Sequence, residues 1–198
     1  MSNARQAQHP IASLFTARWS PRAFDGQPLS EAQMRSLFEA ARWAPSAYNF
    51  QPWRFCYALP PPPAGTPRFE EFVALLVPAN QAWARHAGAL VAVLSQSTRT
   101  AADGAEQPFP SHAFDTGAAW MSLAMQAYDM GLATHAMGGF DAERARHYLQ
   151  LPANVAIHAF VAIGQRGDAS ALPEALQARE QASDRNPQAG WVFEGPMA

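Results

Sequence analysis

Residues 115–130 most constrain what this chain can become. Read as a helix, they set Ala118, Met121, Leu123, Met125 and Tyr128 around most of the circumference, so few positions face water. Such a helix belongs at the centre of a domain, and the remaining chain must supply the layers that cover it. Two continuous apolar runs, 89–95 and 155–163, read as buried strands. Both fall far short of a bilayer span, and residues 1–15 lack a signal-peptide layout, so no membrane partner and a cytoplasmic location are expected.

The 198 residues suit a single domain spanning 1–198. With 14 basic against 16 acidic side chains the net charge is -2, which provides no broad cationic face for nucleic acid. All the basic side chains are arginine. Schiff-base chemistry and a P-loop lysine are thereby excluded, and any bound phosphate must be held by guanidinium forks. A lone cysteine, Cys56, permits no intrachain disulfide and reads as packing in a strand.

Helices are expected over 9–17, from Ser30 to Pro45, over 67–77 and 80–87, from Asp141 to about 150, and over 173–181. Ser30 with Gln33 has the form of a capping box, Leu29 and Met34 that of a hydrophobic staple, and Gly131 that of a helix terminator. Strands are expected at 53–58, 89–95, 132–137 and 155–164. The proline run at 60–63 with Gly65 reads as a stiff connector. Residues 96–111, with Gly104, Pro108 and Pro110 and no periodicity, read as a long loop and candidate lid. Strands separated by helices indicate α/β or α+β. The tail, 183–198, carries Trp191, Val192 and Phe193 with no partner strand nearby in sequence.

Three constellations could carry chemistry. Arg18, Ser20 and Arg22 alternate along an irregular stretch, which suits either a solvated loop or a cradle for one anion. Between Pro45 and Pro52, Ser46, Asn49 and Gln51 place three hydrogen-bonding side chains on a restricted backbone, as a polar turn or a preorganised rim. Met137, Gly138 and Gly139 join a strand to a helix start, as a tight turn or as bare main chain that a ligand could approach. Gly-x-Gly-x-x-Gly and Gly-x-Ser-x-Gly are both absent. The six histidines show no metal spacing, and His135 and His158, in apolar strands, read as structural, so no metal is assigned.

Taken in order, these segments resemble the nitroreductase family of flavoproteins. The resemblance runs through residues 18–24, 44–55, 80–84, 115–139, 161–164 and 184–195. It implies an α+β fold with a central, mainly antiparallel sheet wrapped by helices. It also implies an intertwined homodimer with FMN at the interface and tail 183–198 packed on the other subunit. Arg18, Ser20 and Arg185 would contact phosphate and ribityl, and Arg22 the N1–O2 edge of the flavin. Pro45, Ser46, Ala47 and Asn49 would lie along the neighbour's ring with Gln51 in support. Met137, Gly138 and Gly139 would form the loop facing flavin N5. The implied activity is ping-pong transfer of hydride through flavin N5 from NADH or NADPH to a small-molecule oxidant, a nitroaromatic, quinone or activated carbonyl or enone compound. A non-catalytic flavin-binding or flavin-sequestering dimer would use the same ligands. The family often has lysine at the position of Arg22, and some members place proline before the glycine loop and glutamate in it. The chain is also short for the family, so a more open or differently covered pocket is expected.

Overall fold

The computed structural model describes residues 5–60 and 68–197. In chain order it comprises α1 (Ser13–Ala17), α2 (Glu31–Arg42), β1 (Trp53–Ala58), α3 (Arg68–Ala74), α4 (Pro78–Ala84) and β2 (Ala89–Gln96). Then come β3 (Thr98–Thr100), β4 (Glu106–Pro108), α5 (His112–Asp129), β5 (Ala133–Met137), α6 (Ala142–Tyr148), β6 (Val155–Gly164) and α7 (Glu174–Gln177). The main sheet has the order β1-β2-β6-β5 and every pairing in it is antiparallel. Of the connector expected at 60–65, all but Pro60 lies outside the described residues.

Alternation along β2 builds two cores. Leu90, Ala92 and Leu94 face one side, where Phe69, Phe72 and Val73 of α3 and Trp83 of α4 cover them. Ala89, Val91 and Val93 face the other, against Met34, Leu37 and Ala41 of α2 and Ala119, Leu123 and Ala127 of α5. The sheet is therefore covered by helices on both faces, an α+β layering with α5 on one flank. Full burial of Met34 and Leu37 contributes roughly 1.5–3 kcal/mol each.

Local chemistry sets the helix ends. The Gln33 N–H donates to Ser30 Oγ at 3.2 Å and the Ser30 N–H returns to Gln33 Oε1 at 2.9 Å, and the staple residues Leu29 and Met34 are both buried. Gly131 stops α5 at φ 75°, a conformation that favours glycine, and the Asp141 carboxylate caps α6 by accepting the Arg144 N–H at 3.0 Å.

Three expectations need correction. The stretch 96–111 is no structureless loop: β3 and β4 pair as a hairpin, with Thr98 opposite Pro108 and both Thr98 and Thr100 donating to the Glu106 carboxylate. The helix expected at 173–181 shrinks to one turn at Glu174–Gln177, and that at 9–17 to Ser13–Ala17. Neither short helix buries a residue of its own, so packing supplies nothing to extend it. Residues 183–197 are exposed along their length, with one 3-10 turn at Gln188–Gly190.

Candidate functional site

The stretch following α1 brings the first predicted residues together. Arg18, Ser20 and Arg22 are each half-buried. Arg5, absent from the sequence-based set, fastens this stretch: its Nη1 donates to the Thr16 carbonyl at 3.0 Å and the Arg18 carbonyl at 2.7 Å, and its Nε to the Ser183 carbonyl at 2.7 Å. Residues 178 positions apart thus meet, and Arg185 follows Ser183 into the same neighbourhood. Burial first, and then the charges of Arg5 and Arg185, push the Arg18 pKa below its ordinary value. Burial and then Arg185 do the same to Arg5, with Asp184 opposing. The ion pairs among the described residues, Arg35–Glu31 and Arg42–Glu39, lie elsewhere on α2, so the guanidiniums of Arg5, Arg18 and Arg185 form no carboxylate bridge. Such a cluster draws an anion.

On the other side of this stretch, Glu180 turns its carboxylate onto main chain. Oε1 and Oε2 accept the Arg22 N–H at 2.8 and 3.0 Å, and Oε1 also accepts the Ala23 N–H at 2.9 Å. His135 donates from Nδ1 to the Pro21 carbonyl at 3.0 Å. Burial holds its pKa below the ordinary imidazole range. Hydrogen bonds from Arg5, Glu180 and β5 therefore tie residues 18–23 in place.

The turn after α2 is strained and tightly tied. Tyr48, Asn49 and Gln51 adopt φ of 54°, 53° and 53°, in the left-handed region that non-glycine residues avoid. Asp115, buried in the first turn of α5, accepts the Ala47 N–H at 3.1 Å, and Ser46 Oγ accepts the Gln51 N–H at 3.0 Å. Gln51 Nε2 donates to the Asn49 carbonyl and Oδ1 at 3.2 and 3.1 Å, and Arg54 Nη1 donates to the Gln51 carbonyl at 3.0 Å. Pro45 and Asn49 remain exposed on this fixed frame.

The two glycines of the third constellation differ. A Cβ on Gly138 would meet nothing within 4 Å, whereas on Gly139 it would lie 2.8 Å from Asn80 Nδ2 and 2.9 Å from Val77 Cγ2. The Gly139 carbonyl accepts the Val77 N–H at 3.1 Å and Asn80 Nδ2 at 3.0 Å. Gly139 is thus a packing glycine that seats the loop on α4. Gly138, exposed, is the position with open main chain, while Met137 is buried beneath.

Residues 15–165 match the sequence profile of the nitroreductase family. The chain belongs to that family. A crystal structure of an oxidoreductase containing FMN has 43% sequence identity and a TM-score of 0.94, with coverage of 100% of this chain and 98% of that one. A putative nitroreductase in complex with FMN from Desulfovibrio desulfuricans aligns at 22% identity and a TM-score of 0.70, covering 97% and 100%. A nitroreductase family protein from Streptococcus pneumoniae aligns at 17% and 0.72, covering 92% and 98%. These two more distant likenesses attest to the fold. An uncharacterized 15.4 kDa protein of Mycolicibacterium smegmatis is 40% identical over 68 residues, 34% of this chain, and the chain spans about half, 46%, of that curated relative.

Against the nitroreductase frame, the sequence reading missed Arg5, Glu180, Asp115 and a Ser95–His112–His158 cluster. Asp115 alone had a local signal, an acidic residue in the first turn of a long apolar helix. The others depend on contacts that only the folded chain creates. Among the described residues no group of three or more His, Cys, Asp or Glu could hold a metal ion, and no helix is long and apolar enough to cross a membrane.

Proposed function

We propose that this nitroreductase-family chain is an FMN-dependent NAD(P)H oxidoreductase acting as a homodimer, in which residues 183–198 pack on the partner subunit. The observation that carries this reading is the set of three guanidiniums, Arg5, Arg18 and Arg185, gathered without a carboxylate bridge, where burial first and then the neighbouring positive charge lower the pKa of Arg5 and Arg18. A phosphate dianion relieves that repulsion and satisfies the remaining donors.

The other residues fit the rest of the cofactor. Exposed main chain at Gly138 suits close approach of a flat ring, and Arg22 suits the pyrimidine edge, where negative charge accumulates on reduction. Asn49, held in the left-handed region by the ties around it, suits the rim of a neighbour's ring. When bound, FMN supplies hydride acceptance from a nicotinamide and donation to an oxidising substrate such as a nitroaromatic, quinone or enone. The chain then orients, tunes and excludes water, and needs no nucleophile of its own.

Exposed apolar side chains support the homodimer. Tyr48, Phe114 and Trp43 are 87%, 84% and 74% exposed on the single chain, and Ile11, Phe15, Trp191, Val192 and Phe193 are exposed as well. A second copy burying this surface would bring one subunit's 45–51 turn and tail to the other. The test is direct: the purified protein is yellow, sediments as a dimer, and is bleached anaerobically by NADH or NADPH. A colourless monomer that gains no visible absorbance with added FMN refutes the reading, and a yellow dimer that neither nicotinamide bleaches favours flavin sequestration instead.

A further inference from the structure

Ser95, on β2 and fully buried, lies between two imidazoles: its Oγ is 2.6 Å from His112 Nδ1 and 2.6 Å from His158 Nε2. None of the three serves the cofactor contacts above. His158 reaches the serine through a break in strand register. Val93 pairs with Ala159 and Leu94 with Ile157, so His158 is the extra residue of a β-bulge, and its ring is re-aimed towards the start of α5.

The chemistry of such a row is directional. A serine hydroxyl carries one proton, so between two neutral rings it accepts from one nitrogen and donates to the other. Partial burial first, and then the neighbouring His112, lower the His158 pKa below the ordinary imidazole value, which favours its neutral form. Because the inner nitrogens are engaged with Ser95, the outer ones, His158 Nδ1 and His112 Nε2, are the open ends of the row.

Its two ends stand on elements that also carry parts of the proposed site. His112 and Asp115 stand three residues apart on α5 and so share a side of the helix, and Asp115 holds Ala47 in the strained turn. Met137 is the last β5 residue paired with β6, opposite Phe160, so Gly138 follows where β5 ends and His158 stands two residues from Phe160 along β6. His158 is exposed on the single chain.

We propose that His158, Ser95 and His112 form a proton relay that delivers to the acceptor the proton accompanying each hydride. This rests on the oxidoreductase reading above. Reduction of a quinone or enone adds one hydride, whose electrons come from the nicotinamide reductant, and one proton. The His112 Nε2–H bond breaks as the new O–H or C–H bond forms on the acceptor. The Ser95 proton passes to His112 Nδ1, the His158 Nε2 proton passes to Ser95 Oγ, and solvent supplies a proton to His158 Nδ1. Solvent exchange at the outer nitrogens then restores the starting tautomers.

The experiment compares wild type with Ser95→Ala, Ser95→Thr and His112→Gln, each bleached with NADH and reoxidised anaerobically. The acceptors are benzoquinone and ferricyanide, which takes an electron and no proton. Benzoquinone reoxidation falls at least about tenfold in Ser95→Ala and His112→Gln and recovers in Ser95→Thr, while ferricyanide reoxidation stays within about twofold. A second readout is independent of turnover. Imidazole 15N spectra of the oxidised protein show opposite tautomers at the two serine-facing nitrogens, with protonation of one ring shifting the other, and Ser95→Ala abolishes that coupling. Wild-type benzoquinone rates in Ser95→Ala, equal losses with both acceptors, or uncoupled rings in the wild type overturn the relay alone. A wild-type protein without flavin, or with flavin that NADH leaves oxidised, overturns the relay together with the reading beneath it.

Discussion

Replacing Glu180 by alanine removes the acceptor of two main-chain N–H groups at once, those of Arg22 and Ala23. Ala23 is 4% exposed and Arg22 half-buried, so water replaces the lost acceptor fully at neither. An unsatisfied buried donor costs about 1–3 kcal/mol. With Ala23 across that range and Arg22 at about half of it, the loss is roughly 2–4 kcal/mol. For a chain of this size that lowers Tm by about 4–16 °C. Glu180→Gln keeps one acceptor oxygen and loses the charge, so it costs about half as much. Urea unfolding at a fixed protein concentration reads the change as a lower midpoint at unchanged slope, and fixed concentration matters because dimerisation would contribute to apparent stability. Glu143→Ala, an α6 carboxylate exposed to solvent and outside the tail, is the control and shifts the midpoint by less than about 0.5 kcal/mol. A Glu180→Ala midpoint within 0.5 kcal/mol of wild type, on the order of an ordinary surface change, refutes the assignment of this carboxylate as the fastener of residues 18–23.

The remaining predictions concern the glycine loop, the histidines and the arginines. Gly139→Ala destabilises by about 1–3 kcal/mol in urea unfolding, because its Cβ meets Asn80 and Val77, whereas Gly138→Ala leaves stability within about 0.5 kcal/mol and weakens FMN binding in a fluorescence titration. His135 has its pKa lowered by burial in the folded state, so its contribution to stability is complete above the unfolded value of about 6.5 and is lost as pH falls below that value towards and through the folded one. Unfolding free energy measured from pH 7.5 to 5.5 therefore declines with a slope of at most about 1.4 kcal/mol per pH unit for this group, and His135→Phe flattens that limb. Arg22→Ala lowers the flavin midpoint potential by tens of millivolts, from about 1–4 kcal/mol of interaction at an effective dielectric of about 20. Arg185→Ala weakens FMN binding with little change in potential, and equal potential shifts in the two variants refute the separate roles.

How much of this was legible in the sequence depended on the range of the interaction concerned. The Ser30–Gln33 capping box, the Asp141 cap and the Gly131 terminator each act within a few residues, and each stands where the sequence places it. The strand beginning at Val155 and the continuous apolar run of β2 were also readable, because burial on both faces imprints continuous hydrophobicity. The β3–β4 hairpin was invisible because its strands are three residues long and one ends in Pro108, too short for a period to register. Arg5 and Glu180 lay beyond any local pattern. Their partners stand 178 and 158 residues away, and nothing near either one distinguishes it from an ordinary surface charge. The histidine at the bulge was read as structural for the same reason: a one-residue slip in register changes which face it serves, and slip leaves no composition signal.

The turn at 46–51 is where local preference and observed conformation disagree most, and the disagreement is informative. Placing Tyr48 at φ 54° costs about 1–2 kcal/mol relative to a right-handed conformation, and its side chain, 87% exposed, recovers little on the single chain beyond the Arg99 guanidinium 5.5 Å from its ring. The fold nevertheless fixes the turn through Asp115, Ser46, Gln51 and Arg54, so the ties, and not residue preference, determine its shape. Local rules broken under heavy external support mark positions selected for something other than stability. Tyr48→Gly tests this. It relieves the left-handed strain but gives back about 0.5–1 kcal/mol through the freer unfolded chain. The subunit therefore becomes up to about 1.5 kcal/mol more stable in urea under conditions that keep it monomeric. If the exposed ring serves a partner's site, the same variant dimerises less tightly and holds FMN less well. Loss of subunit stability in Tyr48→Gly would place the ring in the fold, and unchanged dimerisation and FMN affinity would remove it from the interface.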